Sequence, residues 1–281
     1  NWRMFQTSGN ARYVDIVENC LYNSILSGIS LDGKRYFYTN PLRISADLPY
    51  TLRWPKQRTE YISCFCCPPN TLRTLCEVQN YVYTLSDEGV WCNLYGGSEL
   101  DTEWMGNHIQ LLQETDYPWD GAVSITLKEV PEKKPLSLFL RVPEWCTKAT
   151  LAVNDVPVTT DLKAGTYAEI KRIWKKGDRV AFVMGMEPVL LESHPLVEET
   201  RNQVAVKRGP VVYCLESMDV EAGKRIDDIL IPADIKFSPV KTEIAGSRVT
   251  VLDGIAHSVD SDSWEGKLYR KVAENGDRIP I

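Results

Sequence analysis

Cys64, Cys66 and Cys67 fall within four positions of one another, in the segment Tyr61-Ile-Ser-Cys-Phe-Cys-Cys-Pro-Pro-Asn70. A single cysteine is most often a small buried hydrophobe. Three together, immediately ahead of two prolines, point instead to metal binding or thiol chemistry, with a purely structural role as the alternative. Adjacent cysteines such as Cys66 and Cys67 form a disulfide only with strain. Thiolates are preferred zinc ligands, and a tetrahedral site needs four donors. The sequence has no second C-x-x-C, and His108, His194 and His257 lack ligand spacing. If zinc binds here, its remaining ligands are expected from a part of the polypeptide ahead of this chain. A cysteine just before a helix start also has a depressed pKa, because free backbone N–H groups and the helix dipole favour the thiolate. Such a thiolate is a nucleophile in waiting.

The elements that must hold this cluster are helical. Trp2, Met4 and Phe5 read as the last turn of a helix stopped by Ser8-Gly9-Asn10, with Asn10 as the next N-cap. Tyr13, Ile16, Val17, Cys20, Leu21 and Ile25 make an apolar stripe, which predicts a helix of about 17 residues closed near Gly28. Residues 40–55, with Pro41, Pro49 and Pro55, read as irregular. After Pro68-Pro69, Leu72, Leu75, Cys76, Val78 and Val82 resume helical spacing, with Asn70 as the expected cap.

From about Val90 the period drops to 2. Residues 122–130 and 136–142 alternate, 151–158 read as a hairpin about Asn154-Asp155, and 167–174 and 179–184 are strands about Lys176-Gly177-Asp178. Further strands are expected at 204–215, 229–231 and 249–252. Helices first and closely spaced strands afterwards predict separate domains, the latter antiparallel β-sandwiches. The boundaries drawn are 1–86, 87–192 and 193–281.

Composition narrows the function classes. The chain has 281 residues, 8 cysteines and a net charge of −6, with no basic block, which argues against nucleic acid or an anionic membrane as partner. Eight cysteines are too few for a disulfide scaffold. No apolar run reaches the length of a membrane span. The chain opens on Asn1 in what reads as a helix end, and is expected to be a piece of a longer polypeptide.

Asn1-Trp-Arg-Met-Phe-Gln6, Tyr13–Asn23, Gly28–Gly33, Tyr36-Phe-Tyr-Thr-Asn-Pro-Leu42 and Cys64-Phe-Cys-Cys-Pro-Pro-Asn70 together resemble glycoside hydrolase family 127, the β-L-arabinofuranosidases. Arg141-Val-Pro-Glu-Trp145 and Lys207–Glu216 resemble its later, β-rich signatures. The resemblance implies the end of an (α/α)6 barrel followed by two β-sandwiches. It implies a retaining hydrolase of plant-glycan L-arabinofuranosides in which a zinc-bound cysteine replaces the usual carboxylate nucleophile. Carried onto this sequence, Cys66 is the nucleophile, Cys66 and Cys67 ligate zinc, Cys64 packs beside them and Tyr38 contacts substrate, with Tyr36 the runner-up. A Glu-x-Cys pair supplying two more zinc ligands, the acid/base glutamate and the sugar-binding histidines would lie ahead of Asn1. Glu18 and Glu60 match no motif that would let them replace that acid/base.

Other readings compete with this one. Trp104, Trp119 and Trp145 could stack on sugar rings in a carbohydrate-binding module, and the cysteines could form a structural zinc site. Within the resemblance, another furanoside such as aceric acid is an alternative substrate. The expected partners are an oligosaccharide and the missing N-terminal part; homodimerisation stays open. Unpaired cysteines favour the cytosol, whereas plant-glycan breakdown favours the periplasm or the exterior, toward which the reading leans.

Overall fold

The computed structural model describes residues 1–39, 51, 53–259, 266–269, 271 and 277–281. The expected irregular stretch beginning at Asn40, and the Asn40-Pro41-Leu42 end of the tyrosine motif, fall largely outside the described residues. Mixed helix and strand are arranged in the anticipated order, α-helices through Val82 and strands after it, with short 3₁₀ turns at Glu198–Thr200 and Ile226–Asp228. The chain divides into two compact units, residues 1–186 with 209–211, and residues 187–208 with 212–281. The helices and the first strands therefore share one unit. No described helix is long and apolar enough to cross a membrane.

Helix α1 (Trp2–Ser8) ends on Gly9, whose φ of 64° lets its N–H reach back to the Phe5 carbonyl at 2.7 Å. Helix α2 (Ala11–Cys20) starts at Asn10, whose side chain accepts the Arg12 N–H at 3.1 Å. It runs on without a break through a π turn (Leu21–Ile25) and a 3₁₀ turn (Leu26–Gly28), so Gly28 closes the last turn instead of capping it. Helix α3 (Cys67–Glu77) begins earlier than expected: Cys66 is the N-cap and Asn70 lies inside the first turn. Prolines lack an N–H that a first turn would leave unbonded anyway, so they open the helix and do not precede it. Helix α4 (Gln79–Val82) follows.

Strands β1 (Tyr83–Leu85), β2 (Gly89–Cys92), β3 (Ser98–Trp104), β4 (Asn107–Thr115), β5 (Ala122–Glu129), β6 (Leu136–Val142), β7 (Ala149–Val153), β8 (Val156–Pro157), β9 (Thr166–Arg172) and β10 (Arg179–Met184) build two sheets. Their orders are β1-β2-β6-β9 and β3-β4-β5-β10-β7-β8. Val90, Leu138 and Leu140 of the first and Ile109, Leu111, Ile125, Leu127 and Phe182 of the second belong to one buried apolar cluster. The hairpin between β7 and β8 turns on Asn154 and Asp155, both at positive φ. The expectation of antiparallel sheets fails where β2 and β6 run parallel. The chain leaves the first sheet after β2, builds β3 to β5 in the second, and re-enters beside β2 in the same direction.

All seven residues of β6 are buried, since its second face is covered too. Arg141, fully buried, ion-pairs there with Asp15 and Glu18 of α2. Its Nε donates to the Asn93 carbonyl at 2.5 Å. Glu18 also accepts the Tyr117 hydroxyl at 2.6 Å and the Trp145 indole N–H at 3.2 Å. A buried carboxylate is tolerated only with such partners. This network fixes α2 on the sheet.

The second unit is built from smaller sheets. Strands β11 (Pro188–Leu191), β12 (Ala205–Arg208) and β13 (Val211–Tyr213) form a three-stranded sheet, in which the expected strand 204–215 is broken at Gly209, φ 56°. Strands β14 (Ile229–Leu230), β15 (Ser238–Ile244), β16 (Ser247–Asp253), β17 (Ile255–Ser258) and β18 (Asp277–Pro280) pair as β14-β17-β18 and β15-β16.

Candidate functional site

The backbone after α2 turns back on itself. The Phe37 N–H donates to the Gly28 carbonyl, and Tyr36 and Thr59 exchange both backbone hydrogen bonds, each at 3.0 Å. Arg58 donates from Nε and Nη2 to the Ser27 carbonyl at 3.1 and 2.6 Å, and its guanidinium lies over the Phe37 ring. Alternation along this short extended piece then separates its aromatics. Phe37 is buried, whereas Tyr36 sends its hydroxyl to the Gly33 carbonyl at 3.0 Å. Tyr38 goes to the cysteines.

The Tyr38 hydroxyl lies 3.7 Å from Cys66 Sγ and 3.9 Å from Cys64 Sγ. Cys66 Sγ is 3.3 Å from Cys67 Sγ. Cys66 is exposed and caps α3, where the Asn70 amide donates to its carbonyl at 2.7 Å. The Cys67 thiol and the Tyr38 hydroxyl, by hydrogen bonding to its sulfur, hold the Cys66 pKa below the usual thiol range. Hydrogen bonding to the Cys66 sulfur, and then to that of Cys64, pushes Tyr38 up to about 12. Burial, followed by the neighbouring Cys66 sulfur, raises Cys67. Cys66 is thus the more acidic of the two adjacent thiols, with a tyrosine O–H at hand. That arrangement suits nucleophilic attack by Cys66.

Zinc is tested by the donor set. Among the described residues no group of three or more His, Cys, Asp and Glu side chains is arranged so as to hold a metal ion by itself. Cys66 and Cys67 fit such an ion in kind, as two soft thiols brought to 3.3 Å, and supply half of the four donors a tetrahedral site takes. The histidines are engaged elsewhere, His108 with Asp101 at 2.8 Å and His194 accepting the Leu196 N–H; His257 lies in β17.

Neither nearby acid stands at the thiols. Glu60 is exposed and paired with Arg35 at 3.2 Å, and Glu18 is buried in the Arg141 network. Of the tryptophans considered for sugar stacking, Trp104 is buried with its N–H on the Ser86 carbonyl, and Trp145 is held by Glu18. Trp119 is half-buried in a turn before β5. One aromatic without a sequence signal belongs to the site. The Trp54 ring stacks on Tyr38, centroids 3.9 Å apart and planes at 29°. A tryptophan inside a proline-rich irregular stretch has no periodicity to single it out.

Three successive family models match the chain: "Beta-L-arabinofuranosidase, GH127 catalytic domain" over residues 1–80, "GH127 middle domain" over 89–186 and "Glycoside hydrolase family 127 C-terminal domain" over 188–261. A non-reducing end β-L-arabinofuranosidase of Bifidobacterium longum subsp. longum is 31% identical over 278 residues, 95% of this chain and 41% of that protein. A solved structure described as a glycoside hydrolase superposes with a TM-score of 0.96 at 64% identity, over all of this chain and 46% of the other. Ara127N-Se, a GH127 β-L-arabinofuranosidase from Geobacillus stearothermophilus T6, gives a TM-score of 0.87 at 34% identity, covering 99% of this chain and 44% of its own. The chain thus spans less than half the length of the proteins it matches.

Proposed function

The chain belongs to glycoside hydrolase family 127, and from that membership we propose that it carries the nucleophile of a retaining hydrolase acting on L-arabinofuranosides of plant glycans. On this reading residues 1–86 are the last helices of an (α/α)6 barrel, and 87–192 and 193–281 are two β-sandwich domains. The observation that carries the proposal is the convergence of the Cys66 sulfur, the Cys67 sulfur and the Tyr38 hydroxyl at the start of α3.

Cys66 Sγ attacks the anomeric carbon, so a C–S bond forms as the glycosidic C–O bond breaks. The departing oxygen takes a proton from a general acid outside this chain. Water then attacks the same carbon, gives its proton to the conjugate base of that acid, and the C–S bond breaks to return the thiolate. Two displacements retain the anomeric configuration. Tyr38 stabilises the sulfur whenever it is anionic, before attack and after release. Tyr38 also faces the position where the sugar must sit, since it touches the attacking atom. Cys66 and Cys67 would hold a zinc ion together with donors from elsewhere, and zinc would keep the sulfur ionised and ease its departure.

The test is turnover of a chromogenic β-L-arabinofuranoside by the full-length enzyme and its Cys66→Ser variant. A loss of at least about 10³-fold is expected, with the sugar recovered on the Cys66 peptide of the wild type after rapid quenching. Wild-type turnover by Cys66→Ser overturns the assignment.

A further inference from the structure

We propose that Trp54 is a positioning residue of this site, holding the Tyr38 hydroxyl on the Cys66 sulfur. The inference rests on the reading of Cys66 as nucleophile. Among the described residues, the backbone pairing of this segment ends at Phe37, whose N–H goes to Gly28. Among the described residues, the contacts that place Tyr38 are those of its side chain. The hydroxyl has, among the described residues, two soft contacts, 3.7 Å to Cys66 and 3.9 Å to Cys64. Long contacts to sulfur do little to choose one rotamer of a two-angle side chain. The ring is fixed from its face by the Trp54 indole at 3.9 Å, and the Arg53 guanidinium lies over that indole, 5.2 Å from its centroid. Arg53, Trp54, Tyr38 and Cys66 therefore form a row from cation to aromatic pair to thiol.

A residue so placed acts through Tyr38. With one face packed on the tyrosine, Trp54 offers that face to no sugar, so its removal acts through Tyr38 and the reacting sulfur. Its contribution is the preference for one Tyr38 rotamer. An aromatic pair of this kind corresponds to about a 2- to 12-fold population bias.

A double-mutant cycle in the full-length enzyme tests this. Trp54→Ala is expected to lower kcat by about 2- to 12-fold, any change in KM coming through Tyr38, and Trp54→Phe to restore most of it. In a Tyr38→Phe background, Trp54→Ala is expected to have no further effect, because the hydroxyl it positions is gone. An effect that multiplies unchanged in that background, or one confined to KM, overturns the proposal. A second readout does not depend on the glycosidase. The alkylation rate of Cys66 by iodoacetamide, followed by peptide mass spectrometry, should change in Trp54→Ala, with Cys20 and Cys76 unaffected, and the change should vanish in the Tyr38→Phe background. If no arabinofuranoside is turned over, the reading of the enzyme falls while this cycle still decides the role of Trp54.

Discussion

The guanidinium of Arg141, on β6, is buried without solvent exposure against the carboxylate of Glu18, on α2. Asp15, one turn earlier, takes the other side of the same guanidinium and keeps a buried Oδ2 without a partner. The helix held by this pair leads directly to Ser27, whose carbonyl anchors Arg58, and to Gly28, whose carbonyl anchors Phe37. The ion pair therefore stands at the base of the segment that carries Tyr38.

Removing one partner leaves buried charge behind. Arg141→Met is expected to lower stability by about 3–5 kcal/mol in urea unfolding. Arg141→Met combined with Glu18→Leu should recover part of the loss, because the uncompensated carboxylate goes with its partner. If the double variant is as unstable as the sum of the two single ones, the pairing is not what holds α2.

The two adjacent thiols differ in reactivity. Hydrogen bonds from Cys67 and Tyr38 hold the Cys66 pKa down, whereas burial raises Cys67. In metal-free protein, iodoacetamide is expected to modify Cys66 before Cys67. As pH falls through the ordinary thiol range, the rate at Cys67 should decline before that at Cys66, since a lower pKa preserves thiolate to lower pH. Equal rates with parallel pH profiles would sink this reading.

Asp178 gives a pH dependence of stability. Burial pushes its carboxyl up, but the Asn154 amide at 2.8 Å and the Lys175 N–H at 2.9 Å accumulate to a net depression. A carboxylate depressed on folding stabilises the fold above its unfolded pKa and loses that contribution as pH falls through the folded value. Asp178→Asn should therefore be less stable than wild type near neutrality, by about 1–2 kcal/mol. The gap should close in acid, below the ordinary carboxylate range. A gap independent of pH in thermal unfolding would mean that charge plays no part in this turn.

Local rules read well where one residue decides the geometry. Asn10 caps α2 as its side chain predicts, and Asn154-Asp155 make the hairpin turn that two positive φ values require. Asn70 misled because two prolines start α3 before it. The β3–β4 hairpin, turning on Met105 and Gly106 at φ 50° and 74°, escaped although Glu99, Asp101 and Glu103 alternate with Leu100, Thr102 and Trp104 as the exposed face of a strand should. Partnering across long sequence separations left no local trace. Glu18 reads as an ordinary polar helix residue, and Arg141 as a stray charge in an apolar strand, until the fold puts them together. The cysteine cluster could be recognised because its chemistry lies within four consecutive positions, whereas Trp54 reaches Tyr38 only through the fold.

Gly121 sits where β5 begins beside the end of β10, and a Cβ built there would lie 1.9 Å from the Met184 carbonyl oxygen. The same two residues are already joined by the Met184 N–H donating to the Gly121 carbonyl at 2.9 Å. Alanine must push the strands apart at the edge of the main apolar core, since backbone cannot rotate away as a flexible side chain would. Gly121→Ala is expected to destabilise by about 2–4 kcal/mol. Gly96, where an added methyl group would meet nothing within 4 Å, is the control. Gly96→Ala should stay within about 0.5 kcal/mol of wild type. Equal midpoints for the two variants in urea would show that the close approach of β5 and β10 at Gly121 places no demand on that residue.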